Sequence, residues 1–359
     1  MAVHFHPLKI KKINRETSDC VSISFEVPTA LTTDFEYKEG QSLTVRANID
    51  GEEVRRTYSI CSAPSEQQLK IAVKAVTGGR FSNFAQHLKS GDILEVMPPV
   101  GNFNARADAI KPGKFLAIAA GSGITPVLSI IKHTLGLHPQ HEFTLLYGNK
   151  SRSSIIFFED LEGLKNIYME RFTLLNILSR EKTDVAVNYG RIDGAKLQSL
   201  QLLIPFKDFE SIYICGPEEM IIAASNFLQG LGVEKSKIHF ELFTIPGQQK
   251  VAANSKELII PKNDGPLSSI TIKLDGRSID FELSQNGKNI LDAALQIGAD
   301  LPYACKGGVC CSCRAKLTEG EVSMDVNYAL EPEEVAQGFI LTCQSHPLTK
   351  KVVIDFDVK

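Results

Sequence analysis

Four cysteines between residues 305 and 343 carry a spacing suited to metal-cluster chemistry. Cys305, Cys310 and Cys313 form C-x4-C-x2-C within LPYACKGGVCCSCRAKL, and Cys343 follows after 29 intervening residues, in GFILTCQS. Three thiolates from one loop and a fourth from a distant segment make the ligand pattern of a [2Fe–2S] cluster. Soft thiolates bind ferric ions, and Gly307 and Gly308 let the loop turn its amides toward the sulfurs. A zinc site more often shows two C-x2-C pairs or a Cys/His mixture. A disulfide framework needs an oxidising compartment, and MAVHFHPLKIKKINRET has no apolar stretch of the signal-peptide kind. Cys311 sits beside the ligands but off their spacing, and reads as a bystander thiol. Cys20, Cys61 and Cys215 show no paired spacing, which fits a reducing cytoplasm.

Further upstream, several short patterns suit phosphates and aromatic ring systems. Arg56-Thr57-Tyr58-Ser59 ends a strand-like run, where an arginine can hold a phosphate and a phenol can lie on a planar ring. Gly78-Gly79-Arg80-Phe81-Ser82 precedes a short helical patch, and glycines before a helix start expose backbone amides to an anion. Gly121-Ser122-Gly123-Ile124-Thr125-Pro126 departs from G-x-G-x-x-G at its last position, where proline suits the first turn of a helix. Asn149 and Arg152 follow one strand, and Ser179 and Arg180 end another. Hydroxyls and guanidinium groups there suit an adenosine 2′-phosphate, and an acidic partner for a ribose diol is not evident. Each pattern alone has a plainer meaning: strand surface, a turn, or solvent-exposed arginines. His133, His138 and His141, without a cysteine or carboxylate companion, read as surface histidines.

The elements that must carry these groups follow from periodicity. Val21–Val27 alternates apolar and polar residues, QSLTVRANI and EVRRTYSI flank Asp50-Gly51 as a hairpin, and LKIAVKAV and DILEVMPP continue the series. Short strands with regular turns predict an antiparallel β-barrel over residues 1–108. Residues 109–245 change to strand–helix alternation: KFLAIAAG, FTLLYGN, FTLLNILS and SIYICGP are apolar runs with helical segments between them. That texture predicts a doubly wound α/β domain with ligands at the carboxyl ends of its strands. Residues 246–266, rich in Gly, Pro, Asn, Lys and Gln, read as a linker. In 267–359, ITIKLDGRSIDFEL reads as a hairpin and NILDAALQIG as a helix.

Composition sets the outer bounds. The chain has 359 residues, 43% of them hydrophobic and 23% charged, and no window suggests a transmembrane helix. A net charge of −3 argues against nucleic-acid binding. From Leu267 onward 9 basic and 13 acidic residues give −4, leaving +1 for the rest, a bias that suits docking to a protein partner.

Taken in order, the patterns resemble the ferredoxin–NADP reductase superfamily with a C-terminal plant-type [2Fe–2S] ferredoxin domain of α+β, ubiquitin-like (β-grasp) fold. The resemblance implies FAD contacts at Arg56, Tyr58, Ser59, Gly79, Arg80, Phe81 and Ser82. It implies a nucleotide pyrophosphate loop at Gly121, Gly123, Thr125 and Pro126. Cys215-Gly216-Pro217-Glu218-Glu219-Met220 matches the family's CGP-x-x-M, which places Cys215 and Gly216 beside the nicotinamide. HFELF resembles the family's Glu-x-Phe ending and places Glu241 and Phe243 near the flavin. Of these residues, Cys215, Thr125 and Glu241 are the ones implied nearest the hydride-transfer centre.

Electron counting then orders the cofactors. A nicotinamide gives up two electrons at once and a [2Fe–2S] cluster accepts one, so a flavin must lie between them. KGGVCCSCRAKLTEGEVSM, NYALEPEEVAQGFILTCQSHP and KIHFELF resemble segments of reductases that serve bacterial oxygenases and epoxidases. The implied function is electron transfer from NADPH, with NADH as the alternative, through FAD and the cluster to a di-iron oxygenase or epoxidase subunit. An FMN- and NADH-using reductase, a reductase for a hydroxylase or desaturase, and a non-catalytic redox sensor are the other readings.

Overall fold

The computed structural model describes residues 4–243 and 265–358. The expected linker, 246–266, lies outside the described residues except for its last two. Three principal sheets account for the fold, and each is built from one contiguous stretch of chain.

The first sheet holds β1 (His6–Thr17), β2 (Cys20–Glu26), β3 (Ser42–Ile49), β4 (Glu52–Ser59), β5 (Leu69–Lys74) and β6 (Ile93–Val96). Its order is β4-β3-β6-β1-β2-β5, antiparallel throughout, and an Ile60–Ile71 bridge joins the outer strands into a barrel. The β3–β4 turn has Asp50 and Gly51 both at positive φ, the signature of a two-residue hairpin. A short helix, α1 (Arg80–Phe84), follows Gly79. β1 departs from the sequence reading, which assigned it no strand. Bulges between Ile10 and Lys12 and between Arg15 and Thr17 shift its side-chain parity and break the alternation. β2 is buried on both faces, because Cys20, Cys61 and Ala72 on the outside of the barrel join the core of the next unit.

That unit contains β7 (Lys114–Ala120), α2 (Ile124–Leu137), β8 (Glu142–Asn149), α3 (Phe158–Ile167), β9 (Phe172–Leu178), α4 (Gly194–Leu200), β10 (Ser211–Cys215), α5 (Glu218–Gly230) and β11 (Ile238–Glu241). The sheet is parallel, ordered β11-β10-β7-β8-β9. Strand order reverses between β7 and β10, which is where such sheets open a ligand crevice. Asp193 caps α4 by accepting the Lys196 amide at 2.8 Å.

The third unit holds β12 (Leu267–Leu274), β13 (Arg277–Ser284), α6 (Ile290–Gln296), β14 (Arg314–Glu319), β15 (Val322–Met324), α7 (Pro332–Ala336), β16 (Phe339–Leu341), β17 (Ser345–Pro347) and β18 (Lys351–Asp355). Its mixed sheet, β13-β12-β18-β14-β16, places β12 parallel to β18 at the centre and packs α6 on one face, a β-grasp arrangement.

Both outer units rest on the barrel. Against the α/β unit, Ser129 Oγ donates to Ser62 O at 2.6 Å, and Lys132 bridges Glu66 and Asp160. Against the β-grasp unit, Arg55 Nη1 donates to Leu301 O at 3.3 Å, and its guanidinium lies 4.2 Å from the Tyr303 ring centre.

Candidate functional site

The four cysteines converge as two pairs. All four are free thiols, Cys305 facing Cys310 and Cys313 facing Cys343, and within each pair the partner thiol holds Cys310 or Cys343 below its usual range. No group of three or more donors gathers around a single point among the described residues. Two pairs of thiolates are what a binuclear rhomb requires, since each tetrahedral iron shares two bridging sulfides and takes two terminal sulfurs. The second shell also fits. Gly307 N donates to Cys305 Sγ at 3.3 Å, Gln344 Nε2 lies 3.6 Å from Cys343 Sγ, and the Gly308 amide faces Cys343. The need for a left-handed backbone falls on Gly308 (φ 73°) and on Lys306 (φ 53°), not on Gly307. A Cβ at Gly308 would meet Val326 at 3.0 Å. Cys311 is buried and its thiol donates to Ala329 O at 3.4 Å, away from the pairs.

Beside these sulfurs lies a cavity of about 1330 Å³ with walls from all three units. Arg56, Thr57 and Ser59 come from the barrel, Glu241 and Phe243 from the end of the α/β unit, and Cys305 and Cys310 from the cluster loop. Among the described residues Arg56 has no carboxylate partner, so its charge is available to an anion. Ser59 Oγ donates to Glu241 Oε2 at 2.9 Å. Burial pushes the Glu241 carboxyl up to about 7, against the Ser59 hydrogen bond, so it is partly protonated at neutral pH.

The other expected flavin residues are placed less directly. The Phe81 ring belongs to the barrel core, 5.6 Å from Tyr58, so only its backbone can face a ligand. Ser82 Oγ accepts the Val76 amide, and a Cβ at Gly79 would meet that oxygen at 2.3 Å. Gly79 is therefore required by the loop's own packing. Arg80 is tied to Glu52 and to Ile49 O, at the tip of the β3–β4 hairpin. A second cavity of about 320 Å³ joins Arg55, Arg56 and Arg80 to Tyr303, Cys305 and Lys306.

At the switch point two loops cross. A Cβ on Gly123 would sit 2.1 Å from Cys215 O, and one on Gly216 would meet Met220 and Ala120. Glycine at both positions lets the β7 and β10 loops close on each other. Tyr147 Oη donates to Gly121 O at 2.9 Å, and Thr125 Oγ1 donates to Ser122 O at 3.0 Å, holding the turn from beneath. Pro126 lies in the first turn of α2 and Pro217 caps α5. Cys215 is fully buried in the apolar cluster behind this crossing, and burial keeps its thiol well above the usual range. A protonated thiol there can pack against a ring but is not poised as a nucleophile.

The nucleotide edge holds an orphan. Asn149 is buried at the carboxyl end of β8, and neither its Oδ1 nor its Nδ2 has a partner. A ligand there would satisfy both atoms, and that supports a nucleotide site. Ser179 and Arg180 lie beside it, their amides bonded to Asn149 O and Lys150 O. The Arg152 guanidinium stacks 4.8 Å over Phe158, while its amide donates to Glu181 Oε2 at 2.9 Å. Sequence reasoning missed Glu181, an acidic residue directly after Arg180, because only the tertiary pairing of the β8 and β9 ends brings it to this edge.

The comparisons with known proteins agree with this arrangement. Residues 7–105 match the oxidoreductase FAD-binding domain, 117–226 the oxidoreductase NAD-binding domain, and 272–348 the 2Fe-2S iron-sulfur cluster binding domain. The chain is 46% identical over 357 residues to a subunit of the 1,2-phenylacetyl-CoA epoxidase of Escherichia coli strain K12, covering 99% of this chain and 98% of that one. It is 32% identical over 353 residues to the ferredoxin reductase component of 3-ketosteroid-9-alpha-monooxygenase from Rhodococcus rhodochrous, covering 97% and 96%. Among solved structures, phthalate dioxygenase reductase superposes with a TM-score of 0.56 at 22% identity, covering 98% of each chain, a likeness of fold.

Proposed function

The chain belongs to the family of FAD- and [2Fe–2S]-containing reductases that supply oxygenases with electrons from a pyridine nucleotide, and from that premise we propose that it is the NADPH-oxidising reductase of a phenylacetyl-CoA epoxidase. The observation that carries this reading is the shared cavity, with Ser59 and Phe243 on one wall and Cys305 and Cys310 on the other. When bound, FAD takes up two electrons as a hydride and releases them singly, the exchange required between a nicotinamide and a one-electron cluster.

The chain's own residues bind, orient and shield. Arg56 and the amides before α1 would hold the flavin phosphates, and Tyr58, Ser59 and Phe243 would contact its ring. Gly121, Gly123, Thr125 and Pro126 hold the nucleotide pyrophosphate on the α2 side, and Gly216 and Pro217 keep the β10 side narrow. Ser59 and Glu241 hold a proton at the cavity wall, 2.9 Å apart. Cys305, Cys310, Cys313 and Cys343 would hold the cluster, supplying two thiolates to each iron. Arg152 and Arg180 make no ion pair with a side chain among the described residues, which favours a 2′-phosphate and hence NADPH. Free thiols and a reduced nucleotide support a cytoplasmic setting, and no described helix is long and apolar enough to cross a membrane.

The test is NADPH oxidation by the cluster-intact protein, with and without the oxygenase subunits and phenylacetyl-CoA. Stimulation that depends on that substrate is expected. Fast cytochrome c reduction without any response to those subunits would keep the reductase and discard the epoxidase.

A further inference from the structure

The cluster loop is gripped at both ends by neighbouring barrel strands. At its start, Arg55 of β4 reaches Leu301 O and stacks on Tyr303, with Asp300 3.5 Å away. At its end, Thr44 of β3 meets Ser312 Oγ at 2.8 Å. Strand parity explains why both come from one face. Thr44 and Thr57 are cross-strand partners, and Arg55 lies two residues from Thr57, so all three point out of the barrel. The contacts are dry: Thr44 is 0% exposed, Ser312 4% and Arg55 7%.

The Thr44 contact continues in both directions. Thr44 Oγ1 lies 3.3 Å from Thr57 Oγ1, on the wall of the large cavity, and Ser312 Oγ lies 3.5 Å from Cys310 Sγ. A chain of three hydroxyls thus runs from the cavity wall to a cysteine of the cluster loop. Its direction follows from proton counting. The free thiol's place is taken in the holoprotein by a thiolate, which only accepts, so Ser312 must spend its single proton there. Thr44 must then donate to Ser312, and Thr57 to Thr44.

We propose that Thr44 and Ser312 are positioning residues for electron transfer between the units, seating the cluster loop on the cavity wall and aiming the Ser312 hydroxyl at Cys310. This rests on the flavin and cluster assignments above. A hydrogen bond to a ligating sulfur favours the reduced, more negative cluster, and a polarised chain strengthens that bond.

Thr44→Val keeps shape and removes the donor. In the holoprotein we expect flavin bleaching by NADPH at its normal rate, and electron passage from flavin to cluster slowed about five- to tenfold, the worth of one buried hydrogen bond. In an EPR-monitored redox titration the cluster's midpoint should fall and its reduced signal should change shape, while Thr44→Ser restores both. Ser312→Ala should lower the midpoint at least as far. Wild-type midpoint, spectrum and flavin-to-cluster rate in Thr44→Val would overturn the proposal. A wild-type holoprotein with no flavin that NADPH bleaches would instead remove the flavin-site reading, which keeps the two failures distinct.

Discussion

Cys343 and Arg180 stand for the two kinds of residue this chain exposes to test. Cys343→Ser breaks one sulfur pair at a residue that lines neither cavity. The variant should remain a yellow flavoprotein that reduces a two-electron dye with NADPH, and should lose efficient cytochrome c reduction. Undiminished cytochrome c reduction in a cluster-free preparation would exclude the electron route. Arg180→Ala removes a charge at the carboxyl end of β9 and should raise KM for NADPH roughly tenfold while leaving NADH nearly unchanged. Equal rises for both nucleotides would remove the 2′-phosphate assignment. The cluster ligands were legible because their chemistry demands a fixed local spacing. Arg55 was not legible. It precedes Arg56 in the same strand, and nothing local marks it as the guanidinium that reaches the cluster loop, a contact made across 246 residues of sequence. Glu181 was hidden for a related reason, since its meaning depends on a neighbouring strand end.

At the scale of elements, the switch-point crossing is the most exacting feature. Gly123 has an ordinary φ of −60°, so its requirement is space and not backbone freedom. Gly123→Ala puts a methyl against Cys215 O and should cost about 1–3 kcal/mol, the usual penalty for overpacking. Urea unfolding would read the stability, and kcat/KM for NADPH should fall while flavin content stays constant. The parallel strands and the β3–β4 hairpin were readable from apolar runs and from Asp50-Gly51. β1 was not, because its two bulges erase the alternation that marks a strand. Phe81 shows a further limit of motif reading. The motif implies a ligand contact, yet the ring fills the barrel core and leaves only the backbone for that purpose.

For the molecule as a whole, His239 reports on how the units close around their common cavity. Burial, with Arg106 adding to it, pushes its imidazole down to about 4. The unfolded chain takes this proton near 6.5, so between those values the unfolded state binds more protons. Stability should therefore fall as the pH drops from about 6.5 toward 4, and His239→Gln should flatten that loss. Comparing urea midpoints of the two proteins at pH 7.5 and 5 would check it; an unchanged difference would exclude His239 as a source.

The contiguity of the three sheets has a consequence for how the protein is made. No strand crosses from one principal sheet to another, and the barrel's last strand ends at Val96. A ribosome can thus release a closable barrel, then the α/β unit, before any cysteine of the cluster loop has been translated. Thr44 and Arg55 must wait in water for a partner translated more than two hundred residues later, at Leu301 and Ser312. The barrel is in that sense a template laid down first, and the cluster unit is the last piece to be seated on it.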